Sequence, residues 1–189
     1  MLGSMALVQF GTRSPHVVEY EETDARNFIS PIWSVLGGGG ALWALNRGAV
    51  VRVEDMTPEM NEAGFIACEY NPIRRSALVD TATDMDLGPT LALVDPGATV
   101  TRSSLVGDGN FLNAGMIVGS VSRLGEHVSV NRASSIGHHC NIDEQFSIVP
   151  GLYMPSNVRA GFGAVVAVAP ARCSDYNRAA GFSGETDAE

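Results

Sequence analysis

Residues 129–148 read SVNRASSIGHHCNIDEQFSI, and an apolar residue returns at every sixth position of this stretch. Val130, Ile136, Ile142 and Ile148 hold those positions. An amphipathic helix would repeat about every 3.6 residues, and a half-buried strand would repeat at every second residue. An interval of six therefore indicates very short strands that are joined by tight corners.

The same interval runs from residue 100 to residue 166, and all twelve of its positions are apolar. They are Val100, Val106, Leu112, Val118, Leu124, Val130, Ile136, Ile142, Ile148, Met154, Ala160 and Val166. Seven of the first eight residues that directly follow these positions are Gly, Asn or Asp. Because these residue types tolerate turn geometry and positive φ, we expect the corners to lie there.

A period of six with a turn residue at a fixed place is the signature of a parallel β-helix. Three hexads form one triangular coil, so twelve hexads predict four coils with their apolar side chains stacked inside. An ordinary β-sandwich with regular turns is the alternative, but an unbroken series of twelve matches disfavours it. The fold class is therefore predicted to be mainly β.

The first part of the chain lacks this period and reads as alternating strands and helices, which is typical of a small α/β domain. The predicted strands are Ala6–Phe10, Ala49–Val53 and Gly64–Glu69, and the predicted helices are Val17–Glu22 and Arg74–Thr83. Asn71 is the expected N-cap of the second helix, with Pro72 in its first turn. We predict an α/β domain over 5–90, the β-helix over 91–172 and a disordered acidic tail over 173–189.

Composition narrows the classes of function. The chain has 189 residues and a net charge of −9, which argues against a nucleic-acid-binding surface. The three cysteines show no CxxC spacing, so we expect free thiols and a cytoplasmic protein. No apolar run approaches the ~20 residues of a membrane helix, and no membrane partner is predicted.

His138 and His139 are the main candidates for chemistry, since the chain has only four histidines. The register places Ile136 and Cys140 inside the coil and His138 at an outward corner. A surface histidine without a role, a zinc ligand and a general base are all open at this point. Zinc would need a third ligand, and His127 is out of register for one, so no metal is expected.

Two glycine-containing loops are candidates for phosphate binding. Gly11, Thr12 and Ser14 follow a predicted strand, which is the position of a nucleotide loop in α/β proteins. Gly37–Gly40 is followed by an apolar segment without a Lys-Ser/Thr pair, so a flexible turn before a buried helix is the simpler interpretation.

The segment 131–142, NRASSIGHHCNI, resembles the active-site coil of hexapeptide-repeat acyltransferases that act on nucleotide sugars, of the sialic acid O-acetyltransferase type. That family shows Asn-x-x-Ala, then His-Asp/Glu-Cys. Residues 91–100 resemble the start of its left-handed β-helix, and residues 7–20 resemble its first strand, loop and helix. Asn71 with Arg74 and Arg75 is similar to its second loop and helix.

The resemblance implies a homotrimer that transfers an acyl group from acetyl-CoA, or another acyl-CoA, to a small-molecule acceptor. The N-terminal domain would be Rossmann-like and would hold the acceptor through Gly11, Thr12, Ser14, Asn71 and Arg75. His138 would be the general base and His139 would orient it. Asn131 would bind the acceptor or the thioester, and Ser147, Gly161 and Gly163 would contact CoA.

The sequence departs from the family in several places. His139 stands where a carboxylate is usual, Ser147 replaces a histidine, and Ser14 replaces the second glycine of the phosphate loop. The closing segment 165–172 follows an earlier coil than usual, so one or two coils are missing. Two alternatives therefore remain: another reaction in the same groove with the two histidines as acid and base, or a non-catalytic trimeric scaffold. A γ-type carbonic anhydrase is a further, weaker option.

Overall fold

The computed structural model describes residues 7–11, 32–36, 50–52 and 64–167, with side chains described for 64–167. These residues form a mainly β structure that contains one α-helix. Its largest part is a parallel β-helix of about four coils. The predicted fold class is thereby confirmed.

Four strands precede the helix and form one parallel sheet in the order β3-β2-β1-β4. They are β1 (Leu7–Gly11), β2 (Ile32–Leu36), β3 (Val50–Arg52) and β4 (Gly64–Cys68). Three of them confirm predicted strands, whereas β2 was not predicted. The helix predicted over Val17–Glu22 and the glycine run Gly37–Gly40 lie outside the described residues, so the Rossmann-like character of this part stays a prediction.

Helix α1 spans Pro72–Asp84 and confirms both the predicted helix and its cap. The Asn71 side chain accepts hydrogen bonds from the backbone N–H groups of Ile73 (3.0 Å) and Arg74 (3.2 Å). Pro72 fits the first turn because its missing N–H would have no partner there. In the described part of the chain, no helix is long and apolar enough to cross a membrane.

Within residues 64–167, the β-helix is built from thirteen strands of two residues each, arranged in three parallel sheets. The first sheet contains β5 (Leu93–Val94), β8 (Phe111–Leu112), β11 (Ser129–Val130), β14 (Ser147–Ile148) and β17 (Val165–Val166). The second contains β6 (Thr99–Val100), β9 (Ile117–Val118), β12 (Ser135–Ile136) and β15 (Tyr153–Met154). The third contains β7 (Leu105–Val106), β10 (Arg123–Leu124), β13 (Asn141–Ile142) and β16 (Arg159–Ala160).

The interior of the β-helix is the stack of apolar side chains that the period predicted. Leu112, Val118, Val130, Ile136 and Ile148 are fully buried. Neighbouring strands pair residues one coil apart, as Val130 pairs with Ile148. Each coil therefore places its apolar side chains directly on those of the next coil, which excludes water from the core.

The corners differ from the prediction in one respect. Positive φ occurs at the third residue after each inward position from Val106 to Ala160, as in His127, Ala133 and His139, and not at the first. Glycine occurs at the first position after an inward residue for a different reason, which is lack of space. A Cβ on Gly137 would lie 2.5 Å from the backbone N of Ser156 in the next coil, and Gly119 is similarly crowded by Gly137. Successive coils approach so closely there that a side chain does not fit.

The outer face of the first sheet is covered by the segment that precedes it. Ile66 and Cys68 of β4 pack against Leu93 and Phe111, and all four are buried. The two cysteines in the described part, Cys68 and Cys140, are buried free thiols, as predicted. Cys173 lies outside the described residues.

Candidate active site

The histidine pair lies on the corner that follows β12. Ile136 is buried in the core and Gly137 makes the close turn beneath the next coil. The chain then turns outward, so that both His138 and His139 are exposed to solvent. The predicted outward projection of His138 is therefore confirmed.

The backbone of this corner is held by the coils on either side. The N–H of His138 donates to Oγ of Ser156 (3.2 Å), and its carbonyl accepts from the N–H of Asn157 (2.9 Å). On the other side, the N–H of His139 donates to the carbonyl of Ser120 (2.9 Å). His139 has φ of 57°, and histidine is one of the residue types enriched in this region. The two rings thus project from a fixed backbone.

The two imidazole rings contact each other directly. Their Nδ1 atoms are 2.9 Å apart, and the rings are nearly perpendicular, with an interplanar angle of 88°. Only one of the two Nδ1 atoms can carry the shared proton when the pair is neutral. The donor ring then has a free lone pair on Nε2, whereas the acceptor ring carries its proton on Nε2. The pair can therefore present one base and one hydrogen-bond donor.

Cys140 lies inside the coil behind the histidines, as the register predicted. Its thiol points at the carbonyl of Pro155 (Sγ to O, 3.2 Å), and its backbone N–H donates to Oγ of Ser122 (3.1 Å). The Ser122 hydroxyl donates in turn to the carbonyl of Gly137 (2.9 Å). These buried bonds fix the corner from within, and the buried thiol is not placed to act as a nucleophile.

Asn131 occupies the preceding corner and is also buried. Its Oδ1 accepts from the N–H of Arg132 (3.2 Å) and faces Nδ2 of Asn113 in the adjacent coil (3.5 Å). Asn113 in turn accepts from the N–H of Ala114 through its own side chain (2.7 Å). This stack of amides satisfies the corner backbone, so the side chain of Asn131 is engaged within the protein.

Arg75 and Ser147, for which contacts to acceptor and CoA were predicted, are buried between α1 and the β-helix. Arg75 is 1% exposed, and its guanidinium donates to Oγ of Ser147 (2.8 Å) and to Oε1 of Gln145 (3.0 Å). It also donates to the backbone carbonyls of Glu69, Tyr70, Gln145 and Phe146. The Ser147 hydroxyl is fully buried and donates to the carbonyl of Tyr70 (2.7 Å). Both side chains join α1 to the β-helix, and their contacts to acceptor and CoA stay predictions.

The other predicted acceptor-binding residues are distributed as follows. Asn71 caps α1 through its side-chain oxygen. Gly11 is the last residue of β1 and pairs with Leu36 and Cys68. Thr12 and Ser14 lie outside the described residues.

Gly161 and Gly163 lie on the corner between β16 and β17, where a CoA contact was predicted. The N–H of Gly163 donates to the carbonyl of Glu144 (3.0 Å), so this amide is already used within the protein. Gly161 is exposed, and a Cβ on it would meet no atom within 4 Å. Of the two glycines, Gly161 alone stays a candidate for a backbone contact to the pantetheine arm.

His127 lies apart from the pair and has a different environment. It is 6% exposed, and its ring stacks on Phe65 with 5.8 Å between the ring centres. Burial, with a smaller contribution from the nearby Arg75 cation, lowers the pKa of His127 to about 4, while Asp108 opposes the shift. This histidine is therefore a neutral core residue. Residues 64–167 and the three described strands before them contain no group of three His, Cys, Asp or Glu that could hold a metal ion.

Three residues of this structure were not predicted as part of the site. Ser120 and Ser156 hold the histidine backbone from the adjacent coils, and Gln145 holds Arg75. Residues stacked one coil apart differ by eighteen in number, as the paired residues Ser135 and Tyr153 do. Stepping from His138 by that interval in both directions would have found both serines.

No protein-family model matches the chain, and no curated protein is similar to it in sequence. Solved structures are similar in fold. A variant of perosamine N-acetyltransferase from Caulobacter crescentus, in complex with CoA and GDP-perosamine, has a TM-score of 0.75 and 18% identity, covering 87% of this chain and 77% of its own. The acetyltransferase domain of PglB from Neisseria gonorrhoeae, in complex with acetyl coenzyme A, has a TM-score of 0.69 and 24% identity. This alignment covers 86% of this chain and 82% of the PglB domain. WeeI from Acinetobacter baumannii has a TM-score of 0.72 and 17% identity, and the alignment covers 82% of this chain and 74% of WeeI.

The structural comparison confirms the resemblance to hexapeptide-repeat acyltransferases at the level of fold. The chain has the β-helix found in sugar N-acetyltransferases, and the alignment extends over most of both chains. At these identities the comparison shows the fold alone, because one fold can host many different reactions.

Proposed function

We propose that this protein is an acyltransferase that moves an acetyl or other acyl group from acyl-CoA to an amine or hydroxyl of a sugar or sugar-like metabolite. The observation that carries the proposal is the exposed His138–His139 pair, with its 2.9 Å contact between Nδ1 atoms. The fold supports it, because neighbours of the same fold hold CoA or acetyl-CoA, and one also holds a nucleotide sugar.

His138 is the general base in this proposal. With its proton on Nδ1 and its lone pair on Nε2, it removes a proton from the acceptor as the acceptor nitrogen or oxygen attacks the thioester carbonyl. The tetrahedral intermediate then expels the CoA sulfur, which takes the proton from the imidazolium. The new amide or ester bond replaces the thioester bond, and His138 returns to its starting form.

His139 is the positioning residue in place of the family's carboxylate. Its Nδ1 accepts the Nδ1 proton of His138 and so selects the tautomer whose Nε2 is basic. A neutral acceptor stabilises the developing imidazolium less than a carboxylate would. The Nε2–H of His139 is left free to donate a hydrogen bond to a substrate oxygen.

The proposed protein is a homotrimer that is located in the cytoplasm. Large apolar side chains are exposed on the second and third sheets, namely Leu105 (66%), Ile117 (46%) and Tyr153 (67%). Val121, one coil before His139, is 54% exposed and has φ of 60°, which is unusual for a β-branched residue. An apolar surface beside the histidines fits a groove that a second subunit closes. The two free thiols of the described part fit a reducing compartment.

The test is CoA release from acetyl-CoA with a panel of amino-sugar and nucleotide-amino-sugar acceptors. His138→Ala should lower kcat by about 10²- to 10⁴-fold, the usual contribution of a general base. Arg132→Ala is a matched control, because Arg132 is exposed on the preceding corner. Equal rates for wild type and His138→Ala would remove His138 from the mechanism. If millimolar CoA does not bind while His138 stays essential for another activity, the reaction is not acyl transfer.

A further inference from the structure

Val121 has an unusual backbone conformation on the corner that precedes the histidine corner. Its φ is 60°, in a region that β-branched residues strongly disfavour. Among the non-glycine residues with positive φ in residues 64–167, Val121 alone is β-branched. Its side chain is 54% exposed, so burial of the side chain does not explain the strained backbone. Such outliers concentrate at functional sites, and the surroundings of Val121 therefore need examination.

The corner that holds Val121 stacks directly on the corner that holds the histidine pair. The strands on both sides of it, β9 and β10, pair in register with β12 and β13 of the next coil. Val121 therefore occupies the position of His139 one coil earlier, and the N–H of His139 donates to the carbonyl of Ser120 (2.9 Å). Because Val121 and His139 have nearly equal φ, 60° and 57°, their side chains leave the two corners in similar directions. Paired strands are only about 4.8 Å apart, so the two side chains are neighbours.

The chain itself shows which residue suits this backbone best. Asn157 occupies the same position in the coil after His139, with φ of 63°, and asparagine tolerates this region well. An amide at position 121, however, could donate to or accept from Nδ1 of His139. It would then compete with the 2.9 Å contact between the Nδ1 atoms of His138 and His139. Valine has no hydrogen-bonding group, and its branched side chain is stiff, so it offers the ring a fixed apolar surface.

We propose that Val121 is a positioning residue, which packs against the imidazole of His139 and keeps its Nδ1 directed at His138. The strained backbone of Val121 is retained because the residue types that fit it better are either polar or lack a side chain. The effect on catalysis rests on the proposed function, in which His138 is the general base. The effect on the two rings does not, so the two proposals can fail separately.

Three variants of the full chain separate the apolar contact from the backbone strain. Val121→Asn removes the apolar side chain and relieves the strain, so it should fold and should raise the urea midpoint of unfolding. Val121→Ile keeps a branched apolar side chain and is the conservative variant. Ala133→Asn is the matched control, because it places asparagine at a φ of 54° on an exposed corner of a different edge of the β-helix.

Nuclear magnetic resonance of protein labelled with nitrogen-15 histidine measures the tautomers directly, without any substrate. The chain has only four histidines, and His138→Gln and His139→Gln identify the two signals of interest. At about pH 8 the wild type should show His138 protonated on Nδ1 and His139 protonated on Nε2. In Val121→Asn the ring nitrogen shifts of both histidines should move towards the average of the two tautomers. Val121→Ile and Ala133→Asn should keep the wild-type shifts.

Several outcomes would overturn the proposal. Wild-type nitrogen shifts in Val121→Asn would show that Val121 does not position the rings. Equal changes in Val121→Ile or Ala133→Asn would show that the apolar contact is not the cause. A lower urea midpoint in Val121→Asn would show that valine is retained for stability.

Activity provides the separate test of the catalytic consequence. With an acceptor that is turned over, Val121→Asn should lower kcat by up to about tenfold and leave KM unchanged, since it acts only through His139. An unchanged kcat alongside altered nitrogen shifts would overturn this consequence. Absence of acyl transfer in the wild type would instead count against the proposed function, and the nitrogen shifts would still decide the role of Val121.

Discussion

The Nδ1 atoms of His138 and His139 are 2.9 Å apart, in rings that stand nearly perpendicular to each other. Each ring therefore determines the tautomer of the other, because one Nδ1 must donate and the other must accept. The family pattern has a carboxylate at this place, which can only accept. Here the partner is a second imidazole, which can either donate or accept. The direction of the hydrogen bond therefore depends on the tautomers of the two rings.

Substitution of His139 tests this relationship. His139→Ala removes the acceptor and should lower kcat/KM about tenfold, because His138 is then free to adopt the unproductive tautomer. His139→Asp should keep or raise activity, since a carboxylate accepts the same proton and stabilises the imidazolium. Aspartate also tolerates the positive φ of this position. Steady-state kinetics of both variants measure kcat/KM. An alanine variant as active as wild type would show that His139 does not orient His138.

Arg75 provides a second prediction, on stability. Replacing it by Met removes a buried guanidinium and leaves the carbonyls of Gln145 and Phe146 and the hydroxyl of Ser147 with fewer partners. We expect the free energy of unfolding to fall by about 3 kcal/mol. Arg74→Met is the control, because Arg74 is the exposed neighbour of Arg75 on α1. This substitution should change the free energy of unfolding by less than about 0.5 kcal/mol. Urea unfolding of the two variants measures the difference, and similar midpoints would contradict the structural role of Arg75.

The interior of the β-helix was predictable residue by residue, whereas its long-range polar contacts were not. Ile136 and Cys140 were placed inside because a period of six leaves no other arrangement for them. The contact of Arg75 with Ser147 was not predicted, because the two residues are 72 positions apart and no local pattern connects a helix to a distant coil. His139 was recognised as unusual, but its contact with His138 depends on a backbone angle that the sequence does not display.

Gly137 carries a third prediction, which follows from the close approach of successive coils. In Gly137→Ala, the new Cβ would lie 2.5 Å from the backbone N of Ser156, an atom that cannot move without shifting a whole coil. We expect a loss of about 2 kcal/mol in the free energy of unfolding, which is typical of overpacking. Gly161→Ala is the matched control at the first position of another corner, where the Cβ would meet nothing. It should leave stability unchanged or raise it by up to about 1 kcal/mol. Equal losses in the two variants would show that coil spacing is not the constraint.

His127 determines a fourth prediction, on the pH dependence of stability. Its pKa is about 4 in the folded protein, against an ordinary value of 6.5, because the buried ring cannot easily accept a charge beside Arg75. The unfolded chain therefore binds the proton more readily between these two values. The stabilising contribution is fully present above about pH 6.5 and is lost as the pH falls towards 4. Between pH 7 and pH 5 the loss should be about 2 kcal/mol from this group.

The His127→Asn variant isolates that contribution, since asparagine accepts the positive φ of this corner but does not titrate. The variant is expected to be less stable at pH 7, because the contact of the ring with Phe65 is lost. Its free energy of unfolding should nevertheless change less between pH 7 and pH 5 than that of the wild type. Acidic groups elsewhere contribute equally to both proteins, so the difference between the two slopes reports on His127 alone. Parallel pH profiles from chemical denaturation would mean that His127 binds its proton equally well in the folded and the unfolded chain, contrary to the pKa that burial lowers in the folded protein.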